Sequence, residues 1–402
     1  MSRPLKILQC VGDIDPAMGG SVEAARQLSL ALAALGHSPA LVTLRRPQAE
    51  WIESWSGACH CAGPANTRYL YSSRLPGWVK AHAADYDAVL IHGLWRYTSV
   101  GVWRGLRRIG IPYFVFPHGM LDPYCRRANP GKHLQKVVCW LAAERRVLRD
   151  ARAVFFACER ERVQARRTFH PYACREKVVG LGISPPPAPG TAPSALFTRF
   201  PELMGKRVVL YLGRLHPKKG CDLLLQAFAR LAHLDRRLHL AIAGPDEGGW
   251  QAGLQKLAQR CAIAARVTWT GPLYGDLKWD AMRAAEVFAL PSHGENFGIA
   301  VAEALGCGLP VLISNQVSIS PDVEADGAGL VAPDDLAGST ATLERWLALP
   351  DERREAMRVH ARRCFVARYG SSRFATGVLD TVVCELAAGG RAWPAEVPLD
   401  AA

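Results

Sequence analysis

The chain has 402 residues, of which 49% are hydrophobic and 21% are charged. This composition is ordinary for a globular protein, and the length exceeds what a single hydrophobic core usually organises, so we predict two domains. No apolar run approaches the ~20 residues that a membrane-spanning helix needs. The apolar segment Lys6–Val11 is too short for the core of a signal peptide, so we interpret it as the first strand of a cytoplasmic protein.

The net charge of +13 is confined to the first half of the chain. Residues 1–190 carry 26 Lys and Arg against 13 Asp and Glu, whereas residues 191–402 carry 23 of each. A basic first half favours binding to an anionic membrane or to nucleic acid. The alternative interpretation is that the arginines only keep the surfaces of helices solvated. Because the sequence has no zinc-finger spacing and no aromatic RNA-binding pattern, we predict a membrane surface as partner and no nucleic acid.

Cysteine spacing does not indicate a metal site. The 12 cysteines form no CxxC pair, and the one close cluster, Cys59-His60-Cys61, lacks a second pair of ligands. We therefore predict no bound metal ion and no other cofactor.

Short apolar runs alternate with helical patterns along the chain, which predicts parallel sheets with right-handed crossovers. In the first half the predicted strands are Lys6–Val11, Ala40–Thr43, Ala88–Ile91 and Tyr113–Phe116, and the predicted helix after the first strand is Ser21–Leu35. In the second half the predicted strands are Val208–Leu212, Leu238–Ala243, Val267–Thr270, Val287–Leu290 and Val311–Ile313. The helices between them are predicted at Gly220–Leu234, Trp250–Cys261, Leu277–Ala285 and Phe297–Leu305.

This order predicts an α/β fold with two doubly wound, Rossmann-like domains facing a cleft. The proline-rich segment Ser184–Ser194 is the predicted linker, so the domains are residues 1–190 and 191–370. Two C-terminal helices, near Asp351–Tyr369 and Ser372–Ala388, are predicted to cross back to the first domain. The helix and tail of residues 371–402 form the third predicted segment.

Two carboxylates, Glu295 and Glu303, flank the turn Asn296-Phe297-Gly298 between a predicted strand and a predicted helix. Open parallel sheets bind ligands at the carboxyl ends of their strands, and the amides of this turn would form a helix N-terminus that favours an anion. Acids beside such a terminus suit a ligand with a phosphate and several hydroxyls, such as a sugar nucleotide. Two solvated glutamates are the alternative interpretation.

Glycine turns end other predicted strands in the second half. Gly213 is followed by Arg214 and Lys219, a guanidinium fork and an ammonium point charge that both suit phosphate oxygens. The turns that contain Pro245 and precede Tyr274 let the backbone approach a flat base closely.

In the first half, two predicted strands run into His92-Gly93 and His118-Gly119, and Asp122 follows the second. A histidine at the carboxyl end of a strand can hydrogen-bond a sugar hydroxyl or a phosphate oxygen, although a lone histidine is more often structural. Gly19-Gly20, after the first strand, lets backbone amides reach a phosphate. The GxGxxG dinucleotide fingerprint is absent.

Together these segments resemble glycosyltransferase family 4, whose members are retaining, nucleotide-sugar-dependent enzymes of the GT-B fold. The resemblance spans roughly residues 6–390 and rests on Gly19-Gly20, HGMLDP at 118–123, GRLHPKKG at 213–220, AGPDE at 243–247 and ENFGIAVAE at 295–303. The chain departs from the family at Leu181-Gly182-Ile183-Ser184, where a Pro-Asn-Gly-Ile-Asp turn is common. Glu159 matches a serine-glutamate position of the family only loosely.

The resemblance implies a role for each matching residue. Arg214 and Lys219 would hold the donor diphosphate. Glu295 would face the donor sugar and His118 the transferred sugar, which completes the implied catalytic set. The implied donor-binding residues are Gly19, Gly20, Gly213, Pro245, Tyr274, Asn296, Phe297, Gly298 and Glu303. Glu303 would bind the ribose hydroxyls. We expect His92 and Asp122 on the acceptor side.

The implied activity is transfer of a hexose from a nucleotide-sugar donor to a lipid-linked or saccharide acceptor, with retention of configuration and without a metal ion. We expect exopolysaccharide or lipopolysaccharide assembly at the inner face of the cell membrane, with the basic first domain on the acceptor side and the second domain holding the donor. Two alternatives stay open. One is a GT-B epimerase, which needs no acceptor, and the other is a non-catalytic, membrane-associated subunit that binds sugar nucleotides.

Overall fold

The computed structural model describes residues 3–65, 67–123, 126, 130–188, 195–246 and 248–388. The chain divides into two compact units. The first unit runs to Ser184 and resumes at Ser371, and the second runs from Pro185 to Gly370. Part of the predicted linker, Glu247 of the AGPDE segment and the tail beyond residue 388 lie outside the described residues.

The first unit is built on a seven-stranded parallel sheet with the order β3-β2-β1-β4-β5-β6-β7. Its strands are β1 Lys6–Cys10, β2 Ser38–Thr43, β3 Ala58–Cys61, β4 Ala88–His92, β5 Tyr113–Phe116, β6 Ala153–Phe156 and β7 Glu176–Val178. The central strands are apolar and buried because helices cover both faces of the sheet. The strand order reverses between β1 and β4, and such a switch point is where doubly wound sheets bind ligands.

Helices cover the two faces of this sheet. Those before the linker are α1 Gly20–Ala34, α2 Ala49–Glu53, α3 Arg74–His82, α4 Tyr97–Leu106, α5 Pro130–Cys139, α6 Arg145–Asp150 and α7 Glu159–Ala165. A π-helical turn, Trp140–Glu144, joins α5 to α6. Successive side chains of β4 point to opposite faces of the sheet. Val89 therefore packs with α3 and α4, whereas Leu90 packs with α1.

The second unit is built on a six-stranded parallel sheet with the order β10-β9-β8-β11-β12-β13. Its strands are β8 Arg207–Leu212, β9 Leu238–Ala243, β10 Val267–Gly271, β11 Val287–Leu290, β12 Val311–Ser314 and β13 Gly329–Ala332. Its helices are α8 Ala195–Arg199, α9 Cys221–Leu231, α10 Trp250–Arg260, α11 Gly275–Ala284, α12 Ile299–Gly306, α13 Ser320–Ala325, α14 Leu336–Ala348 and α15 Asp351–Arg368. Short 3₁₀ turns in the two units are Pro16–Met18, Ala83–Asp85, Pro201–Leu203, Pro217–Lys219, Ala232–Leu234 and Ala264–Arg266. The switch point of this sheet lies between β8 and β11.

The last helix, α16 Ser371–Ala387, belongs to the first unit. It packs against α1, and its side chains Phe374 and Val378 join Leu28 and Phe116 in one apolar core. The prediction that the C-terminal helix returns to the first domain is confirmed. The preceding helix, α15, was expected to do the same, but it packs against α12 in the second unit. No helix in the described part of the chain is both long enough and apolar enough to cross a membrane.

Candidate functional site

In the second unit, the loops that follow β8, β9 and β11 touch so closely that only glycine fits at two positions. Gly220 has a φ of 68°, and a Cβ there would lie 2.1 Å from the carbonyl oxygen of Pro291, just after β11. A Cβ on Gly244, after β9, would lie 1.9 Å from the carbonyl oxygen of Gly213. These contacts hold three strand ends together and bring Lys219 to the loop after β11.

Gly220→Ala is expected to lower the thermal midpoint of unfolding, because the new methyl group would overlap the Pro291 carbonyl. The matched control is Gly205→Ala, since Gly205 has a φ of 71° but nothing within 4 Å of an added Cβ. The control therefore carries only the cost of a left-handed backbone, about 1–2 kcal/mol. We expect the overlap to add about 1–3 kcal/mol in Gly220→Ala. Equal midpoint shifts in thermal unfolding of the two variants would contradict the close contact.

Lys219 and Glu295 form an ion pair at this switch point, with side chains only 19% and 13% exposed. The backbone of Glu295 is held on both sides. Its N–H donates to the carbonyl oxygen of Gln316 at 3.2 Å, and its carbonyl oxygen accepts from the N–H of Ser318 at 3.1 Å. The hydroxyl of Ser292 lies 3.4 Å from Oε1 of the Glu295 carboxylate. The residues predicted to contact the diphosphate and the sugar are therefore in direct contact with each other.

Glu303 forms a second ion pair that the sequence did not predict. Its carboxylate is 8% exposed, and its Oε1 lies 2.6 Å from Nζ of Lys278 in α11. The same ammonium lies 4.2 Å from the centroid of the Trp279 ring, which adds a cation–π contact. A carboxylate this buried needs charge compensation, and Lys278 provides it.

The helix that carries Glu303 begins later than predicted. Gly298 has a φ of 91° and forms the N-cap, so α12 begins at Ile299 rather than at Phe297. The amides that point out of the helix N-terminus are therefore those of the first turn of α12, and not those of Asn296 and Phe297 as predicted. The Phe297 ring is buried and meets Tyr369 edge-on, with centroids 5.5 Å apart, so it packs the core. Asn296 is half-buried.

In the first unit, the glycine pair follows β1, as predicted, and β1 borders the switch point of the sheet. Gly19, with a φ of 82°, is the N-cap of α1, and Gly20 is the first residue of the helix. The first-turn amides of α1 therefore point away from the helix at the carboxyl edge of the sheet, the geometry that suits a phosphate.

The neighbouring strands β4 and β5 bring two histidines together. Nδ1 of His92 lies 3.0 Å from Nε2 of His118. His92 is 7% exposed and His118 is half-buried, so His92 contacts His118 from the interior of the unit and does not face solvent. Burial lowers the pKa of His118 to about 4. Burial, and then the proximity of His118, lowers the pKa of His92 well below its ordinary value, so both rings are neutral near pH 7.

A buried carboxylate holds the turn that carries His118. The backbone of His118 is left-handed, with a φ of 50°, which is uncommon for a residue other than glycine. The N–H of the next residue, Gly119, donates to Oε1 of Glu161 at 2.6 Å, and the N–H of Ala157 donates to Oε2 at 2.7 Å. Sequence reasoning missed Glu161 and considered Glu159 instead, which is exposed on α7.

Two family models match the chain. The model described as a glycosyl transferase 4-like domain matches residues 19–182, and the model described as glycosyl transferases group 1 matches residues 196–363. This chain belongs to glycosyltransferase family 4. It therefore transfers a sugar, and its donor is a nucleotide-sugar.

Known proteins share the architecture of this family 4 glycosyltransferase. The D-inositol 3-phosphate glycosyltransferase of Xylanimonas cellulosilytica is 28% identical over 335 residues, which cover 80% of this chain and 75% of that relative. Sucrose-phosphate synthase from Thermosynechococcus elongatus has a TM-score of 0.75 at 21% identity and covers 96% of this chain and 100% of its own. Anabaena HepE in complex with UDP-glucose has a TM-score of 0.74 at 16% identity and covers 94% of this chain and 100% of its own. These structures confirm the predicted GT-B fold.

The remaining predicted residues of this glycosyltransferase lie on loops at the carboxyl edges of the sheets. Arg214 and Pro245 are exposed, and Gly213 is half-buried, in the loops after β8 and β9. Tyr274, the exposed N-cap of α11, follows β10. In the first unit, Asp122 is half-buried in the turn after β5.

Proposed function

We propose that this family 4 glycosyltransferase transfers a hexose with retention, without a metal ion, to a lipid-linked or saccharide acceptor in exopolysaccharide or lipopolysaccharide assembly. The observation that carries the proposal is the Lys219–Glu295 ion pair at the switch point of the second sheet, with Glu303 in the adjoining helix. A nucleotide-sugar requires a cation for its diphosphate, and carboxylates suit its sugar and its ribose. Lys219, Glu295 and Glu303 offer these groups in that order.

The proposed mechanism follows from charge. The bond from the anomeric carbon to the diphosphate breaks, so the leaving group gains negative charge while the sugar becomes oxocarbenium-like. Arg214, Lys219 and the first-turn amides of α12 stabilise that charge most in the transition state, which is what accelerates the reaction. The acceptor oxygen bonds to the same face of the sugar, and its proton passes to the departing diphosphate oxygen. Because Lys and Arg supply the counter-charge, the proposal requires no metal ion.

The Lys219–Glu295 pair also has a proposed role in donor binding. The ammonium of Lys219 neutralises the carboxylate of Glu295. We propose that the donor diphosphate takes over the ammonium, which leaves the carboxylate to accept a hydrogen bond from a sugar hydroxyl. Binding of the diphosphate would thereby prepare the sugar contact.

A donor screen tests the activity. UDP, GDP and ADP are compared by thermal shift, and their sugars are then incubated with and without a lipid-linked saccharide. We expect release of nucleoside diphosphate only with acceptor, a product with the anomeric configuration of the donor by NMR, and equal rates with and without EDTA. An altered donor sugar without acceptor would indicate the epimerase, and binding without release would indicate the non-catalytic subunit. An inverted product, or a rate lost with EDTA, would contradict the mechanism.

An outward apolar face on the first unit supports a lipid-linked acceptor. Leu134, Val138 and Leu141, on α5 and the π-helical turn, are 66%, 62% and 44% exposed. Their spacing places them on one face of the helix, and the exposed cations Lys132 and Arg146 lie towards its two ends. An apolar helical face bordered by cations suits an anionic bilayer. We therefore propose that this face holds the enzyme peripherally at the inner surface of the cell membrane.

Replacing Leu134 and Val138 together by serine is expected to weaken binding to anionic phospholipid vesicles by about 10²- to 10³-fold, because the changes remove four to five apolar carbons and each CH₂ withdrawn from the bilayer costs ~0.8 kcal/mol. Cosedimentation of the full chain measures the binding. The matched control replaces Val359 and Val366 by serine, since both are exposed on α15 of the second unit. An equal loss in the control, or equal binding of the unaltered chain to neutral vesicles, would contradict the proposed face.

A phosphorylated polyol is a second candidate acceptor, favoured by the relative named D-inositol 3-phosphate glycosyltransferase. Parallel assays with inositol 3-phosphate and a lipid-linked saccharide distinguish the two. Transfer to inositol 3-phosphate at the same rate by the unaltered chain and by Leu134→Ser/Val138→Ser would favour an acceptor that needs no membrane.

A further inference from the structure

The two histidines of the first unit form a pair whose geometry restricts where their protons lie. Nδ1 of His92 and Nε2 of His118 are 3.0 Å apart, and the ring planes differ by 14°. The Phe116 ring lies parallel to that of His92, at 3° and 4.9 Å between centroids, and so holds its plane. The other nitrogen of His92, Nε2, is buried and has no hydrogen-bond partner among the residues that the structure describes.

Two proton arrangements satisfy the short contact when both rings are neutral. In the first, Nδ1–H of His92 donates to Nε2 of His118, and His118 then carries its own proton on Nδ1. In the second, Nε2–H of His118 donates to Nδ1 of His92, and His92 must then carry its proton on the buried Nε2. The second arrangement buries an N–H donor without an acceptor, a situation that folded proteins rarely tolerate.

We infer that His92 is a positioning residue that fixes His118 in the tautomer protonated at Nδ1. His118 therefore presents a hydrogen-bond donor, and not an acceptor, at its second nitrogen. A donor suits a sugar oxygen or an oxygen that gains charge during transfer. The consequence for catalysis rests on the proposed function, whereas the tautomer itself does not.

Nitrogen-15 NMR of the full chain with labelled histidine tests the tautomer without any substrate, and His118→Gln assigns the signals of His118. We expect Nδ1 of His118 to have the shift of a protonated nitrogen and Nε2 that of a bare nitrogen. His92→Asn offers an amide N–H in place of Nδ1–H, so it should keep this pattern. His92→Phe, which fills the same space beside Phe116 without a donor, should release His118 to the other tautomer. A protonated Nε2 of His118 in the unaltered chain would overturn the inference.

Kinetics provide the second measurement. His92→Phe is expected to lower kcat by about 10-fold with little change in KM for the donor, because a donor aimed at developing charge acts mainly in the transition state. His92→Asn should recover most of that loss. If His92→Phe and His92→Asn lowered kcat equally, His92 would only fill space and its positioning role would be refuted. A chain with the expected NMR pattern but no transferase activity would instead refute the proposed function.

Discussion

Replacing Lys219 by alanine is expected to lower kcat by about 10²- to 10³-fold, the loss typical when one preorganised group that stabilises transition-state charge is removed. Lys219 lies at the switch point of the second sheet, paired with Glu295, where the proposed diphosphate departs. The loss should appear in both kcat and kcat/KM, because the contact strengthens as the leaving group gains charge. Steady-state kinetics with the cognate donor measure it.

The control for this variant is Lys206→Ala, which removes the same charge from an exposed position just before β8, at the opposite end of the strand. We expect Lys206→Ala to keep nearly full turnover, since its charge is remote from the leaving group. Circular dichroism should show both variants folded. A Lys219→Ala enzyme that turned over at the unaltered rate would refute the assignment of the diphosphate site.

Replacing Lys278 by methionine is expected to destabilise the second unit by about 3 kcal/mol, because removal of one partner of a buried ion pair leaves the other poorly compensated. The carboxylate of Glu303 is 8% exposed, so water screens it weakly. For a unit of this size, the loss corresponds to a fall of about 6–12 °C in the thermal midpoint. Thermal unfolding without ligand measures it.

A double-mutant cycle separates the pair from the loss of a lysine. Lys278→Met/Glu303→Leu replaces both charges by apolar groups of similar length, so it should recover most of the lost midpoint. Lys206→Met is the control for replacing a lysine at an exposed position. A Lys278→Met midpoint equal to that of Lys206→Met would show that Glu303 does not depend on this partner.

Most of the fold was predictable because most strands are recognisable in the sequence as short apolar runs. The strands β1, β4 and β5, and those from β8 to β12, are such runs, and each lies within a few residues of its prediction. The edge strands Ala58–Cys61 and Glu176–Val178 were missed, since their exposed or half-buried residues need no apolar pattern. The strand Ala153–Phe156 is apolar but was also missed, because arginine-rich helices flank it on both sides.

The site was predictable only as far as its residues follow strand ends. Lys219 and Glu295 do, but their direct contact joins positions 76 apart in sequence. Lys278 lies 25 residues before its partner Glu303, in a helix whose pattern does not distinguish this lysine from a solvated one. A capping-box pattern at the start of α7 could have identified Glu161. Glu161 lies three residues after the N-cap Cys158, which is the spacing of a capping box, but the pattern was not recognised because a cysteine replaces the usual serine or threonine.

The return of α16 to the first unit has a consequence for synthesis on the ribosome. The core formed by Leu28 and Phe116 lacks Phe374 and Val378 until the whole second unit has been synthesised, because Pro185–Gly370 is made in between. At ~5–20 residues per second, the apolar face of the nascent sheet is left without α16 for about 10–40 s. A fragment that stops at residue 190 lacks α16 altogether, so this face stays uncovered. The second unit, by contrast, is one continuous stretch that can complete its own core as it emerges.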